Sequence, residues 1–250
     1  VVINKADIDP KAAAFAKHQF ESALGLLRSA SAHWRPKVLT LSAQTGEGIA
    51  GFWQEIETHR KTLEASGELA GKRFGLLAHG ASVSASCVPA HLSLAAAGVP
   101  PARLFGPEHG YYGVEQDMVP SESARDPWAG VEIVSLYGSD EGSLLPRPEA
   151  FAGLDLLLID LQDIGTRYYT YAATAVWVAE AARAASCEVW ILDRPNPLGG
   201  EVIEGNLPEP GFASFVGAFR MPVRHGLTLG EIVRLEAHRR EWGRSPRVIA

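Results

Sequence analysis

From residue 71 onward the chain repeats one pattern: a short apolar run, a polar loop, then a stretch of helical period. The runs are RFGLLA at 73–78, ARLF at 102–105, VEIVSLYG at 131–138, LDLLLID at 154–160 and EVWILD at 188–193. Helix-period stretches lie around 88–97, 170–185 and 228–241. A strand that is apolar on both faces cannot leave one of them in water. Such runs alternating with amphipathic helices therefore predict a mostly parallel sheet with helices on both faces. The expected fold is α/β and Rossmann-like, with the strands ending at Phe105, Asp160 and Asp193 side by side.

Polar residues gather where these runs end. RFGLLA delivers His79, and ARLF runs into Glu108 and His109. LDLLLID leads to Asp160, Gln162, Asp163 and Arg167, and EVWILD to Asp193, Arg194 and Asn196. One acid at a strand end is ordinarily a cap or a turn former. Four loaded strand ends predict something more, because ligands of open α/β sheets bind in the crevice beyond the carboxyl ends of the strands. Glu108 and His109 lie in LFGPEHGYYG at 104–113, where Gly106, Pro107 and Gly110 predict a rigid turn that aims the glutamate into that crevice.

The first seventy residues read as a separate β-α-β-α piece. VVINKAD at 1–7 is a short buried strand ending in Asn4, Lys5 and Asp7. A helix is expected from about Lys11 to Arg28, a strand at 37–43 and a second helix from about Ile49 to Ala65. NKxD after one strand and LSA after the next resemble the guanine-recognition loops of P-loop GTPases, and the text from Ser42 to Arg73 resembles the methylmalonyl-CoA mutase-associated group. In that family the aspartate pairs with two guanine donors at once. The phosphate loop GxxxxGK[ST] does not occur in the 250 residues, and GELAGKR at 67–73 has the wrong spacing. Asn4, Lys5 and Asp7 are thus expected to be a vestigial guanine site, and GTP binding is not expected.

Composition excludes other classes. A net charge of −6 with scattered Lys and Arg disfavours nucleic acid as a partner. Cys87 and Cys187 lack metal or disulfide-framework spacing. No apolar run reaches the ~20 residues of a membrane helix, and no export signal is visible, which leads to a cytoplasmic expectation. Val1 inside the apolar VVI and Ala250 after RVIA read as cut ends of a longer product.

Six blocks between residue 71 and the C-terminus, LFGPEHGYYG, SLYG, DLLLIDLQDIGTRYYTY, ILDRPNPLGG, VIEGNLPE and MPVRHGLTLGEI, resemble in order the exo-β-N-acetylmuramidase family. The resemblance implies removal of terminal N-acetylmuramic acid from peptidoglycan fragments. It also implies a Rossmann-like domain at 71–250 whose smaller C-terminal companion is missing here, with the active cleft between the two. The loop AHGASVSAS departs from the Asn-Gln or His-Pro pair expected after its strand, so His79 stands outside the family pattern.

Glycoside hydrolysis ordinarily needs a protonated carboxylic acid and a second group that activates water or stabilises the oxocarbenium-like centre. Glu108 suits the first role, with His109 beside it in the catalytic turn, and either Asp160 or Asp163 suits the second. Arg167, Arg194 and Arg224 are candidates for the lactyl carboxylate, because a guanidinium fork matches a carboxylate, and each is equally suited to a structural ion pair. Gln162, Asn196 and His225 complete the expected substrate set, and Tyr168, Tyr169 and Tyr171 divide between core and cleft. No cofactor is expected. Two rivals stay open. His79, His109, Asp160, Asp163 and His225 are all possible metal ligands, although without HxH or HExxH spacing. A non-catalytic GTPase-derived, sugar-binding fusion is the other.

Overall fold

The computed structural model describes residues 2–4, 6–26, 37–42, 44–52, 54, 69, 71–84, 86–115, 124–137, 144 and 146–249. The chain divides into two compact units, Val1–Ala70 and Gly71–Ala250. No described helix is long and apolar enough to cross a membrane.

In the first unit, β1 (Val2–Ile3) pairs in parallel with β2 (Leu39–Thr40). Helix α1 (Pro10–Leu26) connects them. Asp9 starts α1 by accepting the amides of Lys11 and Ala12 at 3.1 and 2.9 Å, and Pro10 fills the first helical position, where no amide is needed. The second predicted helix is helical at 49–52 and 54. Its remaining length, like Lys5, lies outside the described residues.

The second unit carries a seven-stranded sheet. Its strands are β3 (Phe74–Ala78), β4 (Arg103–Gly106), β5 (Ala124–Arg125), β6 (Glu132–Ser135), β7 (Leu156–Asp160), β8 (Glu188–Leu192) and β9 (Arg247–Ile249). Their order is β5-β6-β4-β3-β7-β8-β9, and all pairings are parallel except the antiparallel edge β5–β6. Helices α2 (Ala90–Ala96), α3 (Tyr171–Ala184) and α4 (Leu229–Arg239) form crossovers. The strand ends predicted side by side are not all neighbours: β7 and β8 are adjacent, but β3 stands between β4 and β7. The cause is the direction of winding. From β3 the chain moves through α2 to β4 on one side, and later restarts at β7 on the other side of β3, moving outward through α3 and α4. Right-handed crossovers wound in opposite directions put their helices on opposite faces. The reversal makes the carboxyl ends of β3 and β7 the switch point at which such sheets open a crevice.

β3 and β7 are buried along their whole length, as the continuous apolar runs require. Helix α3 buries Ala172, Ala173, Ala175, Val176, Val178, Ala179 and Ala182, small side chains that let it approach the sheet closely. Leu229, Ile232, Val233 and Ala237 of α4 join the same core. Burying a Leu, Ile or Val side chain fully contributes about 1.5–3 kcal/mol. Helix α4 is also closed by a capping box: the Thr228 hydroxyl accepts the Glu231 amide at 3.2 Å while the Glu231 carboxylate accepts the Thr228 amide at 2.8 Å.

Candidate active site

The turn after β4 is built around close backbone approach. A side chain at Gly106 would meet the backbone nitrogen of Tyr111 at 2.8 Å, so only glycine lets the chain fold back there. His109 adopts φ +69° and Gly110 φ +76°, two left-handed residues in succession. His109 Nδ1 lies 3.3 Å from the Glu115 carbonyl, which ties the imidazole into its own loop. Glu108 faces the start of α3. The Thr170 hydroxyl donates to its Oε2 at 2.6 Å and the Tyr171 hydroxyl to its backbone carbonyl at 3.2 Å. Oε1 of Glu108 has no hydrogen-bond partner among the described residues.

The two tyrosines that follow hold this turn from behind. The Tyr111 hydroxyl is 2.9 Å from Nδ1 of His91, whose Nε2 is 3.3 Å from Oδ1 of Asp126. The Tyr112 hydroxyl and the amide of Ala129 also donate to Asp126, as does the Trp128 amide at 3.0 Å. His91 and Asp126 are buried. Burial pushes the His91 pKa down despite the opposing Asp126 charge. Burial alone would raise the Asp126 carboxyl, but its Tyr112 and backbone donors prevail and hold it below its ordinary value. Desolvation raises both tyrosines. None of these roles follows from motif spacing, because the partners come from a helix, a turn and an edge strand far apart in the chain.

On the other side of β3, Asp160 closes β7 and is gripped by Arg194, Nε to Oδ1 at 2.7 Å and Nη2 to Oδ2 at 3.1 Å. Its carbonyl accepts from the Ser82 hydroxyl. Asp163 is buried with Oδ2 accepting the Gly165 amide at 2.7 Å and lying 3.3 Å from Nε2 of His225. His225 in turn takes the Leu227 amide on Nδ1 at 3.2 Å, which puts its ring proton on Nε2, close to Asp163 but without a hydrogen bond among the described residues. Oδ1 of Asp163 is enclosed without a partner. Tyr169 and Tyr171 stack at a tilt with centroids 4.5 Å apart, and the charges of Asp163 and Glu108 both help raise the pKa of Tyr169, after burial itself. Glu108 and Asp163 therefore converge on one tyrosine pair.

His79, at the end of β3, accepts the Gln162 amide on Nε2 at 3.1 Å and meets the Tyr171 ring edge-on at 4.8 Å. Burial first, and then the nearby Arg194 charge, lower its pKa to about 4. Gln162 uses its side-chain amide on the carbonyls of Asp163 at 2.6 Å and Pro195 at 3.1 Å.

Several expected substrate residues are engaged within the protein. Asn196 donates to the Leu227 carbonyl at 2.9 Å and accepts the Leu198 amide at 2.9 Å, bracing its loop. Arg224 holds Glu204 at 2.9 Å and the Leu198 carbonyl at 2.7 Å, and Glu204 is a carboxylate that spacing did not single out. Arg167 places Nη1 on the carbonyls of Asn206 and Met221 at 2.7 and 2.8 Å. Beside it opens a cleft of about 460 Å³ lined by Tyr168, Pro208, Phe212 and Val216. Asp193, expected among the strand-end acids, anchors α4 instead through the Thr228 hydroxyl at 2.6 Å and the Gly230 amide at 2.8 Å. In the first unit Asp7 follows β1, its Oδ1 enclosed and without a partner among the described residues. Among the described residues no three His, Cys, Asp or Glu side chains are arranged to hold a metal ion.

Comparison with known proteins divides the chain in the same region. The family model for the N-terminal part of the exo-β-N-acetylmuramidase NamZ matches residues 74–250, and that for the methylmalonyl-CoA mutase-associated GTPase MeaB matches residues 1–78. The peptidoglycan β-N-acetylmuramidase NamZ of Bacillus subtilis is 41% identical over 169 residues, 67% of this chain and 40% of the relative. A putative GTPase of Caulobacter vibrioides is 41% identical over 73 residues, 29% of this chain and 22% of the relative. The crystal structure of a DUF1343 family protein from Bacteroides fragilis superposes with a TM-score of 0.64 at 36% identity, covering 76% of this chain and 47% of that one. The chain thus spans less than half the length of each of these proteins.

Proposed function

The chain belongs, through residues 74–250, to the family of exo-β-N-acetylmuramidase N-terminal domains, and on that premise we propose that residues 71–250 form the acid-carrying part of a glycosidase that releases terminal N-acetylmuramic acid from peptidoglycan fragments. The observation that supports this reading most is the setting of Glu108. One carboxyl oxygen is fixed by Thr170 at 2.6 Å and the other has no bond among the described residues, at the carboxyl end of a parallel sheet, which suits a residue that must hand a proton to a departing oxygen.

Asp163 is the better second group of the two aspartates, because Arg194 takes both oxygens of Asp160 whereas among the described residues no Arg or Lys pairs with Asp163, whose enclosed carboxylate acts through its charge. We assign it stabilisation of the developing positive charge, with the Gly165 amide holding it in place and His225 packed beside it. Arg194 retains Nη1 and Arg167 retains Nη2 for the lactyl carboxylate. In a protein that also carries the portion its relatives have beyond these residues, Glu108→Gln should bind N-acetylmuramic acid within about threefold of wild type and turn over a muramyl glycoside roughly 10²–10⁴-fold more slowly, the ordinary worth of general acid catalysis. Undiminished turnover would remove Glu108 from the chemistry. Because the chain covers 40% of its Bacillus relative, a second reading is sugar binding without turnover, and its signature is sugar binding with no hydrolysis even when the remaining portion of the relatives is present.

Residues 1–70 we read as a partial GTPase-like segment. Without a phosphate cradle the base contacts of Asn4 and Asp7 leave the charged part of the nucleotide unserved. Calorimetry with GTP should show no binding in the micromolar range; a micromolar Kd abolished by Asp7→Ala would overturn this.

A further inference from the structure

We propose that His79 is a substrate-binding residue, a neutral hydrogen-bond donor at the switch point of the sheet that takes the acetamido carbonyl of the sugar. The inference rests on the muramidase reading above. Three observations carry it.

The first is position. β3 and β7 are hydrogen-bonded neighbours, Ala78 opposite Asp160, and the chain winds away from them in opposite directions. His79 follows β3 directly, so it stands between the loop that carries Glu108 and the loop that carries Asp163. Its ring meets the ring of Tyr171 at 4.8 Å, and the Tyr171 hydroxyl reaches the Glu108 carbonyl.

The second is the tautomer. Nε2 accepts the Gln162 amide at 3.1 Å. A ring nitrogen that accepts a backbone N–H carries no proton, so in the neutral imidazole the proton resides on Nδ1. Among the described residues Nδ1 has no hydrogen-bond partner, and it is absent from the set of buried polar atoms lacking one. The N–H is therefore formed, directed by the protein and open to a ligand.

The third is charge. The charged groups facing the ring are Arg194 and, through Arg194, Asp160, which the guanidinium neutralises. Protonation of His79 would place a second cation beside Arg194 in a half-buried site, and the ring accordingly stays neutral until about pH 4. A neutral N–H is suited to an uncharged carbonyl oxygen, and the lactyl carboxylate is served by the guanidinium groups. His79 neither gives up nor takes a proton in the working range. It binds and orients, and the proton transfer is left to Glu108.

Two measurements on the chain test this. Nitrogen-15 spectra of the histidine rings should show His79 as a neutral Nδ1–H tautomer that titrates only near pH 4, its Nδ1 resonance moving when N-acetylmuramic acid is added. An Nε2–H tautomer, or protonation near pH 6.5, overturns the proposal. By calorimetry, His79→Phe keeps the ring against Tyr171 and should weaken N-acetylmuramic acid binding roughly three- to tenfold, the worth of one neutral hydrogen bond, equally at pH 6 and pH 8. Binding of muramic acid lacking the acetyl group should be unchanged. His79→Gln, which offers an acceptor to the Gln162 amide and a donor to the sugar, should recover most of the loss. Equal losses on both sugars exclude the acetamido contact, and unchanged binding to both excludes His79. If wild type binds neither sugar, the muramidase reading itself fails and this inference with it, whereas binding that is indifferent to His79→Phe sinks the inference alone.

Discussion

Two loops leave the carboxyl end of the same sheet carrying an acid, and the protein treats the two acids in opposite ways. Glu108, beyond β4, is fixed through one oxygen and left open at the other. Asp160, at the end of β7, loses both oxygens to the Arg194 guanidinium and its carbonyl to Ser82. The difference shows that an ionisable residue at a strand end becomes chemically useful through what its neighbours leave undone. The partners of Glu108 hold it in place without neutralising it. Those of Asp160 make it a strut between the β7 and β8 loops.

Arg194→Ala should separate the two roles most sharply. Removing one member of a largely buried ion pair leaves a stranded charge on Asp160, whose side chain is 6% exposed, so unfolding in urea should show a loss of about 3 kcal/mol. Glu108→Gln should change stability by less than about 1 kcal/mol, since the amide still accepts from Thr170. Equal losses would erase the contrast.

Acid sensitivity is the next largest effect. His79 has a folded pKa of about 4 against an ordinary value of 6.5, so between those values the unfolded chain takes up a proton that the folded chain refuses. Stability from this group is fully present above pH 6.5, declines as the pH falls to about 4 and is constant below. Burial of His91 acts in the same direction. Urea midpoints at pH 7.5 and pH 5 should therefore lie closer together in His79→Phe than in wild type; an unchanged gap would mean that His79 ionises freely.

Tyr111→Phe probes the Glu108 side. Removing its hydroxyl leaves Nδ1 of the buried His91 unsatisfied and should cost about 1–2 kcal/mol in the same assay. If the Tyr111–His91–Asp126–Tyr112 network holds the catalytic turn, turnover should fall more than sugar affinity. The smallest effect is expected at Thr228→Ala, which removes the capping box of α4 and the hydroxyl that Asp193 accepts; unfolding in urea should show a loss of about 1–2 kcal/mol.

The distinction between the two acids was not legible in the sequence, although much around it was. β3, β7 and β8 announce themselves as apolar runs because both their faces are covered, and Glu108, Asp163, Gln162 and His79 could be placed near one another because ligands gather at strand ends. Pairing is different. Asp160 meets Arg194 and Tyr111 meets His91 through tertiary geometry, and no periodicity in the chain encodes such partners. The lateral order was hidden for the same reason, since LFGPEHG and LDLLLID look alike whether they flank β3 or each other. The two-residue edge strand Ala124–Arg125 is too short to leave any alternation. Asn196 between two prolines reads as an exposed amide, and only the Leu227 carbonyl opposite it shows that the amide is used to brace the loop.

The central position of β3 also bears on the order in which the protein can assemble. Phe74–Ala78 is made before either of its partners: Arg103–Gly106 follows soon after, but Leu156–Asp160 emerges from the ribosome much later. Until then a fully apolar strand has one bare edge, a surface that invites pairing with other chains. The Glu108 turn can form in this interval, but Thr170, which fixes its carboxyl group, has not yet been made. The two halves of the site thus meet late, in a fold whose pairings are remote in sequence and accordingly slow. Nascent chains arrested after residue 140 should associate or recruit chaperones, and chains arrested after residue 200 should do so much less.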